Sequence, residues 1–158
     1  TPVNAVGHRG ARSVIGSLRI ASDLERMADY AKNVAKRSIA LAQMPLVQPA
    51  HAIPRMGRTV QEMVKDVLDS FVHGDVQKAV AVWNRDEEID AMHSSLFREL
   101  ITYMLSDPHC IERALALILI ARHLERIADH ATNIAEDVIY LVEGDIVRHR
   151  PQKQSLSK

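Results

Sequence analysis

The chain has 158 residues and a mass of 17.7 kDa, which suits one domain or two small halves sharing a core. Hydrophobic residues make up 47% and aromatics only 4%, a mix that disfavours an all-β domain with its demand for aromatic and β-branched side chains. Twenty Lys and Arg balance twenty Asp and Glu, so no basic surplus exists to neutralise phosphates, and one cysteine, Cys110, excludes an internal disulfide, a thiolate zinc cluster and a CxxC motif.

Residues 1–10, with Gly7 and Gly10, read as an irregular lead-in. From about Ala11 to Met44 the apolar residues Leu18, Ala21, Leu24, Ala28, Ala31, Val34, Ala35 and Ile39 recur at helical spacing, and Gly16 suggests a start a turn or so later. From Thr1 to Met44 the chain carries seven Lys and Arg against three acids. Pro45, Pro49 and Pro54 mark a linker over 45–54. A second helical stretch runs from about Arg55 to His73 through Val60, Met63, Val64, Val67, Leu68 and Phe71, and Gly74 ends it. A third is expected as one run from Asp75 to Leu105, with Val76, Val80, Trp83, Ile89, Met92, Leu96, Leu100 and Tyr103. Asp107 followed by Pro108 is an N-cap with Pro in the first turn, opening a fourth stretch that Gly144 stops. That stretch holds the longest apolar run, Ala114 to Ala121, whose eight residues fall far short of the roughly 20 a membrane helix needs. The tail over 145–158 is basic and expected to be flexible. Rods with one apolar stripe are stable only when packed together, so the fold class is all-α: long antiparallel helices, with residues 55–144 closing a three-helix bundle by themselves. The first helix must then pack onto that bundle or onto another chain, and self-association is expected because a bare stripe would aggregate.

The most informative feature is a repeat. Residues Asp23 to Ala35 return as His123 to Ala135, one hundred positions on, with Glu25/Glu125, Arg26/Arg126, Asp29/Asp129 and Asn33/Asn133 identical. On a helix, Glu25, Asp29 and Asn33 form one line, as do Glu125, Asp129 and Asn133. Like charges at i,i+4 repel by a few tenths of a kcal/mol, and more where the flank is part-buried. Asp86 and Asp90 make a third such pair, Glu62 and Asp66 a fourth. Oxygen-only sets of this kind suit Mg²⁺, Ca²⁺, Mn²⁺ or iron. The bland alternative is a solvated face, with Arg122 able to neutralise Glu125 at i,i+3. No Glu-x-x-His is present, which argues against a buried di-iron core; the nearest pattern is Asp90-x-x-His93. His123 and His130 lie roughly opposite the acidic line and read as exposed or contact histidines; Trp83 and Cys110 read as structural. With no Walker loop, GxSxG, HExxH or Gly-rich dinucleotide turn, an enzyme is not expected.

The segments Leu24-Glu-Arg-Met-Ala-Asp-Tyr-Ala-Lys-Asn-Val-Ala and Leu124-Glu-Arg-Ile-Ala-Asp-His-Ala-Thr-Asn-Ile-Ala resemble the paired motifs of the PhoU family, regulators of the bacterial phosphate-specific transport system. Asp86-Glu-Glu-Ile-Asp90 with Phe97-Arg-Glu-Leu-Ile-Thr-Tyr-Met104 is similar to that family's middle helix. The resemblance covers roughly Ser17 to Gly144. It implies two similar three-helix bundles, the second complete here and the first represented by one motif helix over 11–44, the family's first two helices being absent. It also implies metal binding at Glu25, Asp29, Asn33, Asp86, Asp90, Glu125, Asp129 and Asn133, with iron, zinc, Mg, Mn or Ca as the ion. The role it implies is that of a cytoplasmic, non-enzymatic negative regulator linking the phosphate ABC transporter and its ATPase to a sensor histidine kinase. Such a protein would reach the membrane only through those partners, bind no nucleic acid and form a homodimer. Two other classes stay open at this point: a helical metal-storage protein, and a ligand-free structural module.

Overall fold

A computed structural model describes the backbone of residues 2–144 and the side chains of residues 10–144; the basic tail over 145–158 lies outside the described residues. The described residues form five α-helices: α1 (Pro2–Leu41), α2 (Ala52–His73), α3 (Val76–Asn84), α4 (Asp86–Ser106) and α5 (Ile111–Glu143), with short 3-10 turns at Gln48–His51 and Pro108–Cys110. No strand occurs among the described residues.

The stops follow from local chemistry. Gly74 takes φ +64 and ends α2, a left-handed conformation that costs glycine nothing. The Asp75 side chain then accepts from the Lys78 amide and caps α3. Asp107 likewise accepts from the His109 amide ahead of Pro108, and Gly144, at φ +74, closes α5. Two expected boundaries are corrected. Residues 2–10 are helical rather than an irregular lead-in, since Pro2 sits in the first turn, where its missing N–H is harmless, and Gly7 and Gly10 each cost only about 1 kcal/mol. Similarly α2 begins at Ala52, with Pro54 inside its first turn rather than in the linker.

The expected single rod from Asp75 to Leu105 is interrupted at Arg85, whose amide is shared between the Ala81 and Val82 carbonyls. Arg85 turns its guanidinium onto Glu62 at 3.0 Å and lies 3.9 Å from both Asp66 and Glu88. The repulsion between Glu62 and Asp66 is thereby eased from within the chain.

At the centre lies α5, touching α1, α2, α3 and α4. Its buried residues include Leu117, Ile120, Ala121, Leu124, Ile127, Ala128, Ala131, Ile134, Ala135, Val138 and Ile139, so it is covered on several sides rather than along one stripe. Met63, Val67, Val82, Ile89 and Leu100 from α2, α3 and α4 seal one side, with Trp83 packed against them and Cys110 buried. The opposite side receives α1, which resolves the choice left open for the first helix: it packs on the second half of its own chain.

The face that α1 uses differs from the expected one. Gly16, Ile20 and Met27 are buried and Leu24, Tyr30, Val34 and Leu41 part-buried, whereas Leu18, Ala21, Ala28, Ala31, Ala35 and Ile39 are exposed. Nor does Gly16 mark a late start. A Cβ there would sit 2.7 Å from the Leu141 methyls, so the missing side chain lets α1 and α5 approach.

Candidate functional site: twin motif helices and their acidic flanks

The two copies of the repeat meet directly. Asp23 accepts a 2.7 Å hydrogen bond from His130 Nδ1, and Tyr30 packs against the rings of His123 and His130, at 5.6 and 5.8 Å. Positions 23 and 30 of α1 therefore face positions 130 and 123 of α5, their own repeat equivalents in exchanged order. Near the two ends, Arg12 lies 5.1 Å over the Tyr140 ring, and a cavity of about 270 Å³ between Arg37, Leu41, Glu112 and Leu115 opens beside the other end. The helices thus run antiparallel about a pseudo-two-fold axis near Met27 and Ile127.

Across this seam both histidines make contacts, as their placement opposite the acidic line requires. His130 is buried and bonded. His123 has a buried Nδ1 with no hydrogen-bond partner, and burial first, then the Arg37 charge, holds its pKa below the usual value. Asp137 is also buried, 3.7 Å from Arg19.

The acidic residues divide into two unequal groups. In the second copy, Glu125 and Asp129 on α5 lie beside α4. His93 Nδ1 is 3.1 Å from Glu125, and Arg122 holds the other Glu125 oxygen. Burial, then the Glu125 carboxylate, push the half-buried Asp129 carboxyl above its usual range; Arg126 pulls it back, Asp90 adds to the rise and Arg122 opposes it. Asp86 is part-buried at the start of α4, Asp90 is exposed on the same helix, and Asn133 is part-buried one turn beyond Asp129. In the first copy, Glu25, Asp29 and Asn33 are all exposed, and no second helix of the described chain brings acids to them. His93 is the contributor that residue spacing did not place: it sits beside Asp90 in sequence, but only α4–α5 packing carries it to Glu125.

A hard cation fits the donor chemistry of Asp90, Glu125 and Asp129, whose mutual repulsion it would relieve. The arrangement is not closed around an ion, however. Glu125 is already engaged by Arg122 and His93, and among the described residues no three His, Cys, Asp or Glu side chains are grouped so as to hold a metal. No helix of the described residues is long and apolar enough to cross a membrane.

These features define a duplicated helical-bundle protein whose two motif helices pack back to back and carry their acidic residues on the flanks. The PhoU domain matches residues 3–38 and 53–138, most of the chain, and the chain belongs to the PhoU family. It is 43% identical over 149 residues to a protein of Caulobacter vibrioides named phosphate-specific transport system accessory protein PhoU homolog, a match covering 93% of this chain and 65% of the relative. An Aquifex aeolicus relative of the same name is 48% identical over 143 residues, covering 90% and 65%. Among solved structures, PhoU from Pseudomonas aeruginosa superposes with a TM-score of 0.84 at 40% identity, covering 87% of this chain and 66% of that one. The phosphate transport system regulatory protein PhoU from Streptococcus pneumoniae gives 0.80 at 32% identity, covering 88% and 66%. The chain therefore spans just under two thirds of the length of its relatives.

Proposed function

We propose that this protein is a cytoplasmic, non-enzymatic regulator of phosphate uptake and of the phosphate-starvation response. It acts as an adaptor between the ATPase of the phosphate ABC transporter and the sensor histidine kinase of the same system. The observation that carries this reading is the pair of motif helices, 24–35 and 124–135, in a chain whose relatives bear the name of phosphate transport accessory proteins. The chemistry is that of a binding module: long helices with charged flanks set partner choice through complementary charge more than through raw affinity. Co-precipitation of the ATPase and the kinase with the tagged protein, at high and at low phosphate, tests it. Capture of both supports the adaptor role, and capture of neither rejects it.

In this reading, the cation-binding face is Asp86, Asp90, Glu125, Asp129 and Asn133, supported by the way burial and then the neighbouring Glu125 and Asp90 carboxylates raise Asp129. Glu25, Asp29 and Asn33 supply donors from one helix only. Elemental analysis of protein purified without chelators should find metal, and replacing Glu125 and Asp129 with Ala should remove it. Metal retained by that double variant would place the ligands elsewhere. This reading also takes the protein to be a homodimer.

A further inference from the structure

Residue spacing supplies the acidic face with oxygen donors alone, and the packing of α4 on α5 adds a nitrogen. Asp90 and His93, three positions apart, lie on one side of α4. His93 Nδ1 stands 3.1 Å from Glu125 Oε2 on α5, with the two side chains only 19% and 13% exposed. The Phe97 ring stacks on the imidazole at 6.5 Å and 17°, which fixes its plane. Asp90 is near enough to Asp129 to raise that carboxyl, so the acids of α4 and α5 face one another here. If charge neutralisation were its role, His93 would be redundant, since Arg122 already holds the other Glu125 oxygen and Arg126 lies 3.7 Å from Asp129. What His93 has, and neither arginine has, is a lone pair to give. Its distance from Glu125 is also that of two ligands on one ion. Donors about 2.1 Å from a shared ion, at right angles to each other, are about 3.0 Å apart.

We infer that His93 is a metal ligand, and that its nitrogen selects a first-row transition ion such as Fe²⁺, Co²⁺ or Zn²⁺ over Mg²⁺ and Ca²⁺. This rests on the cation-binding face stated above and names the class of ion it takes. Imidazole suits iron, nickel, copper and zinc, whereas Mg²⁺ and Ca²⁺ gain little from it and are held by oxygens. His93 and Glu125 supply a pair at ligand spacing. No third ligand is grouped with them among the described residues, and Asp90 and Asp129 join by turning their side chains. Arg122 and Arg126, 47% and 46% exposed, have solvent to swing into as the ion displaces them. All of these groups lie on α4 and α5, and none belongs to α1.

Calorimetric titration of the 158-residue protein with CoCl₂ and with CaCl₂ tests this, with circular dichroism to check that each variant folds. The wild-type protein should bind Co²⁺ more tightly than Ca²⁺. His93→Gln keeps the size of the side chain and offers an oxygen in place of the nitrogen. It should weaken Co²⁺ by about tenfold or more and leave Ca²⁺ within about twofold, whereas Glu125→Gln should weaken both. Proton NMR of the wild-type Co²⁺ complex should show a paramagnetically shifted, exchangeable imidazole N–H that H93Q lacks. His109→Ala, at a side chain 95% exposed, should change nothing. Co²⁺ affinity unchanged in H93Q, lowered equally with that for Ca²⁺, or lowered as much by H109A overturns the role of His93 and leaves the cation-binding face standing. Failure of the wild-type protein to bind either ion, or binding of both untouched by Glu125→Gln, overturns that face and His93 with it.

Discussion

The seam between the motif helices rests on one polar contact whose strength can be worked out. Asp23 and His130 meet at 2.7 Å with side chains only 14% and 11% exposed, so solvent screens the pair weakly. A hydrogen bond to a charged group contributes about 1.5–3 kcal/mol, and a buried partner left behind costs a similar amount. Asp23→Ala strands the His130 Nδ1–H, His130→Ala strands the carboxylate, and the double variant removes the mismatch. Urea unfolding of the four proteins, followed by far-ultraviolet circular dichroism, should return a coupling of about 1.5–3 kcal/mol. The equivalent cycle at Tyr30 and His123, which share a ring contact at 5.6 Å and no hydrogen bond, should return about 0.5–1.5 kcal/mol. A coupling under about 0.5 kcal/mol at Asp23/His130 would refute the view that this pair fastens α1 to α5, and would assign the attachment to apolar packing alone.

Four further outcomes follow from the same structure. Gly16→Leu drives a side chain into Leu141 and should lower stability by about 1–3 kcal/mol, with faster hydrogen exchange in the N-terminal half of α1. Asp75→Ala removes the cap on the Lys78 amide and should cost about 1 kcal/mol in urea unfolding, whereas Asp75→Ser should cost less. His123 titrates below its unfolded value of 6.5, so the unfolded chain takes up its proton first; its contribution is intact above pH 6.5 and is lost as pH falls below that value, and His123→Gln should flatten this part of a stability–pH profile. Asp129 works in the opposite sense. Its carboxyl is raised, so ionisation opposes folding as pH climbs through the folded value, and Asp129→Asn should raise the neutral-pH Tm slightly in metal-free protein.

How far the sequence alone reaches differs from helix to helix. Gly74, Asp107-Pro108 and Gly144 were readable as boundaries because each acts through its own backbone conformation or the next few amides. The break at Arg85 was not, because Arg85 is an ordinary helical residue whose role comes from three carboxylates, two of them on α2. Gly16 shows the same limit: by propensity it argues for a late helix start, and only the arrival of Leu141 explains it. The acidic ladders were visible as periodic residues. That Glu125 is engaged by His93 while Glu25 stands exposed depends on whether a neighbouring helix lies alongside.

The sequence by itself determined the helical class, most helix stops, the hundred-residue repeat and the family, since these are set by local backbone preference and by residues repeated in order. Only the tertiary structure decided which face of α1 is core. Apolar residues lie on two sides of that helix, and periodicity assigns no partner to either. The pseudo-two-fold packing on α5 buries Ile20 and Met27 and leaves Leu18 and Ile39 in solvent, because a helix can turn only one side toward a single neighbour.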